Sequence, residues 1–198
     1  MKDGTKIELK GELKKQKNYY FLRNGNKNLM MLELNNNLLH LLNDDRTLLV
    51  GNSGWSYTLN TDEPAGTDHV NIFSKQGAFK DSISFEGRKP CTVPGIIPPG
   101  MLCYKLKWFI VLYSNDEKSG TGTYKVFGTP YRKSGGKRGN WKLIIGKEGR
   151  IVYQLNDDNG SGFLFLFKLD ENILVFTDAG GKLLVGDKDF SFTLNRIP

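Results

Sequence analysis

Two cysteines and two histidines are the residues of this 198-residue chain that best suit metal binding or nucleophilic chemistry. Cys91 and Cys103 lie in a proline-rich stretch that also holds Met101. His40 and His69 are distant from that stretch, so the four side chains match no zinc-finger spacing. Three states of the cysteine pair stay open: a disulfide across the loop, two free structural thiols, or a Cu(I) site formed by Cys91, Cys103 and Met101.

The histidines do not indicate an enzyme. His40 lies inside an apolar run at residues 38–42, and His69 lies in a polar stretch. A Ser-His-Asp or Cys-His pairing would have to use one of them, and neither position is typical of a catalytic base. The glycine pairs near residues 120 and 160 lack the lysine of a phosphate-binding loop. We therefore expect a protein without catalytic residues and without a resident cofactor.

The composition favours β-structure. Glycine accounts for 23 of 198 residues and aromatic residues for 12%. Apolar residues come in short runs that are separated by Gly, Asn and Asp, which is typical of strands joined by tight turns. No apolar run approaches the roughly 18 residues that a membrane-spanning helix requires. The expected fold class is all-β and antiparallel.

An internal repeat organises the chain. Residues 38–60 align without a gap on residues 173–195, at an offset of 135 positions, and nine of the 23 aligned pairs are identical. The identical pairs include the Leu-Leu-Val-Gly segments at 48–51 and 183–186. Gapless similarity of this extent indicates two copies of one structural unit.

The two copies differ in length. The second can be followed back through short apolar segments to Phe85, which gives about eight strands and the size of one small barrel. The first lacks the strands that correspond to residues 85–113. We expect a partial unit at 1–60, a linker at 61–83 and a complete barrel at 84–198. Because an incomplete barrel leaves open strand edges, we expect the second unit or another copy of the chain to pair with them.

The last strand of each copy alternates strictly. Trp55, Tyr57 and Leu59 share one face in the first copy, and Phe190, Phe192 and Leu194 share the equivalent face in the second. These aromatic faces are predicted to point into a core. The large residues expected to fill the complete barrel are Phe163, Phe165, Phe167, Phe190 and Phe192.

The net charge of +7 raises the question of nucleic-acid binding. Much of the excess lies in a glycine-rich segment at 132–142, where four basic residues precede Trp141 and Lys142 follows it. No known nucleic-acid-binding motif accompanies the segment. We interpret it as a solvated hairpin turn whose Trp141 begins the next strand, and we expect no nucleic-acid partner.

The segment from Phe85 to Ile96 resembles the opening of the N-terminal domain of the NlpE copper-resistance lipoproteins. In that family an aromatic residue and a glycine precede Pro-Cys-x-x-Cys-x-Gly-Ile, and the matching residues here are Phe85, Gly87, Pro90, Cys91, Gly95 and Ile96. The resemblance implies a small lipocalin-like antiparallel barrel in the periplasm or on an outer-membrane lipid anchor. It also implies an association with copper or with the envelope stress response. The start of the chain, Met1–Lys6, has no apolar core of an export signal, so we expect any leader to precede it.

The chain departs from the family pattern at one of the two cysteines that would bind copper. Pro94 stands where the family has its second cysteine, so the pair of adjacent thiolates that suits Cu(I) is broken. The alternative function is that of a lipocalin-like carrier for a small apolar ligand, which requires an internal cavity. An envelope protein partner or a small ligand fits either hypothesis.

Overall fold

The computed structural model describes residues 10–60, 79, 81–93, 95–97, 102–115, 119–146 and 149–198. These residues form an all-β structure with one short 3-10 turn at Thr129–Tyr131. Within the described part of the chain, no helix is long and apolar enough to cross a membrane.

Eight antiparallel strands close into a barrel. Each strand pairs with the next along the chain, and the last pairs with the first. Strand order and closure agree with the expected complete barrel. To keep one numbering along the chain, the barrel strands are β6 (Ser82–Lys89), β7 (Leu106–Ser114), β8 (Thr121–Gly128), β9 (Lys137–Ile145), β10 (Ile151–Asn156), β11 (Gly162–Lys168), β12 (Ile173–Thr177) and β13 (Thr193–Ile197).

Aromatic and aliphatic side chains fill the barrel interior. On β7 the alternate residues Leu106, Trp108, Ile110 and Leu112 point inward and are almost fully buried, as the twofold period of a strand requires. Neighbouring strands contribute further large side chains to the same cluster, among them Phe85, Tyr124, Trp141, Tyr153, Phe176 and Phe192. The interior is therefore a packed core.

Gly122 makes room for one of these rings. It pairs with Trp141 across β8 and β9, and a Cβ at Gly122 would lie 2.7 Å from the indole nitrogen. The indole N–H donates to the carbonyl of Tyr113 at 3.0 Å. Trp141 lies in the middle of β9 and inside the barrel, so the prediction that it begins a strand beside an exposed basic turn is wrong.

The first repeat forms a separate five-stranded antiparallel sheet whose strands are paired in chain order. The strands are β1 (Glu12–Gln16), β2 (Tyr19–Asn24), β3 (Lys27–Asn35), β4 (Leu38–Leu42) and β5 (Thr58–Asn60). With the offset of 135, β4 coincides with β12 and β5 with the start of β13.

The sheet packs on the outer face of the barrel through equivalent residues of the two repeats. Leu34 and Leu38 meet in one buried cluster with Leu169 and Ile173, which are their counterparts. Phe167 also belongs to this outer cluster and Phe165 packs against it, so the prediction that these two rings fill the barrel is wrong. Phe192 does lie in the barrel core and Phe163 packs against it. Phe190 belongs to neither buried cluster and lines a surface groove, so the prediction that its ring fills the barrel is also wrong.

The opposite face of the sheet is open at its β5 end. Tyr57 is 38% exposed and Leu59 is 43% exposed, whereas their counterparts Phe192 and Leu194 are 3% and 0% exposed inside the barrel. Trp55 is 74% exposed. The prediction that this aromatic face points into a core is therefore wrong for the first copy, because the strands that cover its counterpart in the barrel have no equivalent among the described residues.

Candidate binding surfaces

A reciprocal set of hydrogen bonds joins the two repeats. The Gly51 N–H donates to Asn195 Oδ1 at 2.9 Å, and the equivalent Gly186 N–H donates to Asn60 Oδ1 at 3.0 Å. The Asn195 and Asn60 side chains then donate to backbone carbonyls of the opposite repeat, including those of Trp55 and Phe190. Each bond has its counterpart with the repeats exchanged, as in an isologous interface related by a twofold axis.

Thr58 and Thr193, which are also counterparts, meet at the centre of this arrangement. The Thr193 hydroxyl donates to Thr58 Oγ1 at 2.9 Å, and Thr58 contacts His40 Nδ1 at 2.9 Å. The second ring nitrogen of His40 lies 3.0 Å from the Leu49 carbonyl, which can only accept, so Nε2 carries the hydrogen. Nδ1 therefore accepts from Thr58, and the two threonine hydroxyls and the imidazole form one chain of hydrogen bonds.

His40 is a neutral structural residue. It is 0% exposed, and burial lowers its pKa to about 4, although the hydrogen bond to the Leu49 backbone acts in the opposite direction. Both ring nitrogens are occupied within the protein, which leaves neither of them to act as a catalytic base. His69 lies outside the described residues.

We expect the paired asparagines to stabilise the contact between the repeats unequally. Asn195 is 1% exposed, whereas Asn60 is partly exposed. Asn195→Ala leaves a buried N–H and carbonyls without partners and is expected to lower the free energy of unfolding by about 1–3 kcal/mol, with a smaller loss for Asn60→Ala. Urea denaturation measures the difference, and Asn36→Ala, at an exposed position, is the control. Equal free energies of unfolding for the wild type and Asn195→Ala would contradict the proposed stabilising role of the Asn195 hydrogen bonds.

The two cysteines form a disulfide. Cys91 and Cys103 are bridged, with their Cα atoms 5.9 Å apart, and both pack against the barrel core at the end of β6. Disulfide sulfurs are not thiolates, so the bridged pair does not fit Cu(I). Met101 lies outside the described residues, and within the described part of the chain no three His, Cys, Asp or Glu side chains group as metal ligands.

Reduction of this disulfide is expected to destabilise the barrel. The bond closes a short loop, with a sequence separation of 12 residues, so the chain-entropy model assigns it roughly 2–3 kcal/mol. The Cys91→Ala/Cys103→Ala double variant should unfold at a correspondingly lower urea concentration. Adding a reductant should shift the wild type by the same amount and should leave the double variant unchanged. A wild-type midpoint that does not move on reduction would refute the stabilising role.

A buried lysine lies inside the barrel. Ile83, Phe85, Gly87 and Lys89 are the inward-facing positions of β6, and Lys89 is 0% exposed. Its amine lies over Gly87, 5.9 Å from the centre of the Phe176 ring, and has no hydrogen-bond partner within the described part of the chain. Burial lowers the pKa of this amine well below its ordinary value. Lys89 was not among the site residues predicted from the sequence, although the alternation of Ile83, Phe85 and Gly87 predicts an inward side chain at position 89.

A groove runs along the approximate twofold axis. It is lined by residues 52–60 of the first repeat, by residues 187–195 of the second, and by Arg88, Tyr104 and Lys105, and its volume is about 500 Å3. We call it the dyad groove. The dyad groove was not predictable from the sequence, because it exists only where the two repeats meet.

Comparison with known proteins yields no relative: no family model, no curated protein and no solved structure matches this chain.

Proposed function

We propose that the protein is a non-enzymatic, NlpE-like protein of the bacterial cell envelope and that it acts by binding a β-strand of another polypeptide on its open sheet. The family identity is supported by the residues from Phe85 to Ile96 and by the closed antiparallel barrel that follows them. The envelope location is supported by the Cys91–Cys103 disulfide, since disulfides persist in oxidising compartments.

The observation that carries the binding role is the exposure of positions whose counterparts are buried. Tyr57 and Leu59 lie open where Phe192 and Leu194 are covered. Among the described residues, β5 pairs only with β4, whereas its counterpart β13 pairs with both β12 and β6. The free edge of β5 therefore offers unpaired backbone groups next to an apolar face, which is the arrangement used in recognition by strand addition.

Strand β6 is the best available probe for this edge, because it covers the equivalent edge of β13. The two strands pair antiparallel, with Glu86 opposite Asn195, whose counterpart at the end of β5 is Asn60. Phe85 lies opposite Arg196 and Ser84 opposite Ile197, and the counterparts of Arg196 and Ile197 fall outside the described part of the chain. Side chains Ile83 and Phe85 of β6 point into the barrel core. A peptide with the sequence of residues 82–89 should lay the same side chains on the open sheet.

The test is a fluorescence-anisotropy titration of a labelled peptide of residues 82–89 with the full-length protein. Saturable binding is expected for the native peptide, and at least a roughly tenfold loss is expected when Ile83 and Phe85 of the peptide are replaced by aspartate. Tyr57→Lys in the protein should weaken binding, and Ile145→Lys, an exposed position on β9, is the matched control. No saturable binding, or equal binding of both peptides, would overturn the proposal.

Copper binding is part of this proposal only for the reduced protein, in which the two cysteines are free thiols. In the bridged state the ligand set expected from the sequence, Cys91, Cys103 and Met101, supplies no thiolate. A Cu(I) competition titration of oxidised and reduced protein, with Cys91→Ser as the control, tests the association that the family resemblance implies.

The filled barrel interior gives no support to the apolar-carrier alternative, so the binding role is assigned to the surface.

A further inference from the structure

The dyad groove combines two exposed aromatic faces. Trp55 is 74% exposed and Tyr104 is 71% exposed. Tyr104 meets the edge of Phe190, the counterpart of Trp55, with ring centroids 5.7 Å apart. Aromatic rings contribute most to the free energy of binding when a ligand covers them and removes them from water. A groove that exposes several aromatic rings is therefore typical of a binding site.

The groove also has a buried polar atom without a partner. Ser191 is 6% exposed, and among the described residues its hydroxyl has no hydrogen-bond partner. Its counterpart Ser56, by contrast, accepts a hydrogen bond from the Thr58 backbone N–H at 3.1 Å. Because buried hydroxyls in folded proteins are nearly always paired, the Ser191 hydroxyl is a candidate ligand contact.

Charges of both signs lie beside these groups. Arg88 and Lys105 line the groove together with Asp187 and Asp189. The Lys105 amine lies 5.5 Å from the Tyr104 ring centre, so one cation is held over the aromatic face. The site therefore offers hydrogen-bond donors and carboxylate acceptors beside the exposed rings of Trp55 and Tyr104.

We propose that the dyad groove binds an oligosaccharide. Sugar hydroxyls both donate and accept hydrogen bonds, so they use the cations, the carboxylates and the Ser191 hydroxyl together. The C–H face of a sugar ring, which carries partial positive charge, complements the negative face of an aromatic ring. A nucleic-acid backbone has phosphate acceptors only, and Asp187 and Asp189 would repel it.

Tryptophan fluorescence provides a direct test. The chain has three tryptophans, and Trp108 and Trp141 are 2% and 3% exposed, so Trp55 dominates the solvent-exposed emission. Full-length protein is titrated with cellohexaose, chitohexaose and an oligogalacturonate, and with a short thymidine oligonucleotide as the competing class. We expect at least one sugar to cause a saturable blue shift and to give the same Kd by calorimetry.

Variants separate the groove from the rest of the surface. Trp55→Ala, Tyr104→Ala and Ser191→Ala should each weaken sugar binding at least about tenfold by calorimetry, whereas Ile145→Ala should leave it unchanged. The inference would be overturned if no sugar binds at about 10 mM or if only the oligonucleotide binds. It would also be overturned if the three groove variants bind sugar as tightly as the wild type does. The peptide of residues 82–89 is expected against β5, whose residues also line the dyad groove, so Tyr104→Ala and Ser191→Ala, which lie outside β5, distinguish sugar binding from peptide binding.

Discussion

Replacing Lys89 by methionine is expected to raise the free energy of unfolding by about 2–5 kcal/mol at neutral pH. The Lys89 amine is fully buried and has no hydrogen-bond partner among the residues that the structure describes, and such a group costs several kcal/mol relative to its hydrated state. Methionine is unbranched and of similar length, so it fills the space over Gly87 without the polar atom. Chemical denaturation at pH 7 measures the gain.

The gain should also depend on pH. Burial holds the pKa of Lys89 well below 10.5, so the native amine is neutral where the unfolded amine is protonated. Proton uptake then favours the unfolded state as the pH falls below about 10.5, and the wild type loses stability that the Lys89→Met variant keeps. The difference between the two proteins should therefore be larger at pH 7 than at pH 10.

Lys107→Met is the matched control for this prediction. Lys107 lies on β7, directly beside the β6 residues, but its side chain is exposed. Its replacement should change the free energy of unfolding by less than about 0.5 kcal/mol at both pH values. A Lys89→Met variant that is no more stable than wild type, or whose gain is the same at pH 7 and pH 10, would show that the amine is hydrated or paired.

Acid should destabilise the protein through His40. The imidazole has a native pKa of about 4, against an ordinary value of 6.5, because it is buried and neutral. The unfolded state takes up a proton below pH 6.5 and the native state does so only near pH 4. The wild type therefore loses about 3 kcal/mol of stability between these values from this residue alone.

His40→Val isolates that contribution. Valine occupies the equivalent position 175 in the second repeat, so the backbone accepts it. The variant should be less stable at pH 7, by about 1–3 kcal/mol, because the Leu49 carbonyl loses its donor. Its stability should fall less steeply between pH 6.5 and 4, since the carboxylates that remain titrate equally in both proteins. An NMR titration that places the native imidazole near pKa 6.5 would contradict this account.

The positions of most strands were predictable from the sequence because strands carry a local signal. The twofold alternation of β7 and the repeat at an offset of 135 each follow from residues that are close along the chain or identical between the copies. The closure of the barrel after Phe85 was predictable in the same way, from the number and length of the apolar segments. A turn-rich composition was enough to set the fold class.

The faces and partners of those strands were not predictable. Alternation shows that Trp55, Tyr57 and Leu59 share one face, but it does not show whether anything covers that face. The same ambiguity placed Phe165 and Phe167 inside the barrel, whereas they contact the first repeat from outside. Such assignments depend on contacts between segments that are more than one hundred residues apart.

The sequence by itself determined an all-β chain, a repeated unit and the three states open to Cys91 and Cys103. Only the tertiary structure placed the Lys89 amine inside a filled barrel and brought Asn60 and Asn195 into reciprocal contact. It also created the dyad groove, whose two walls come from different copies of the repeat. The physical reason is that local sequence sets backbone conformation and side-chain alternation, whereas burial and site geometry depend on how distant surfaces pack together.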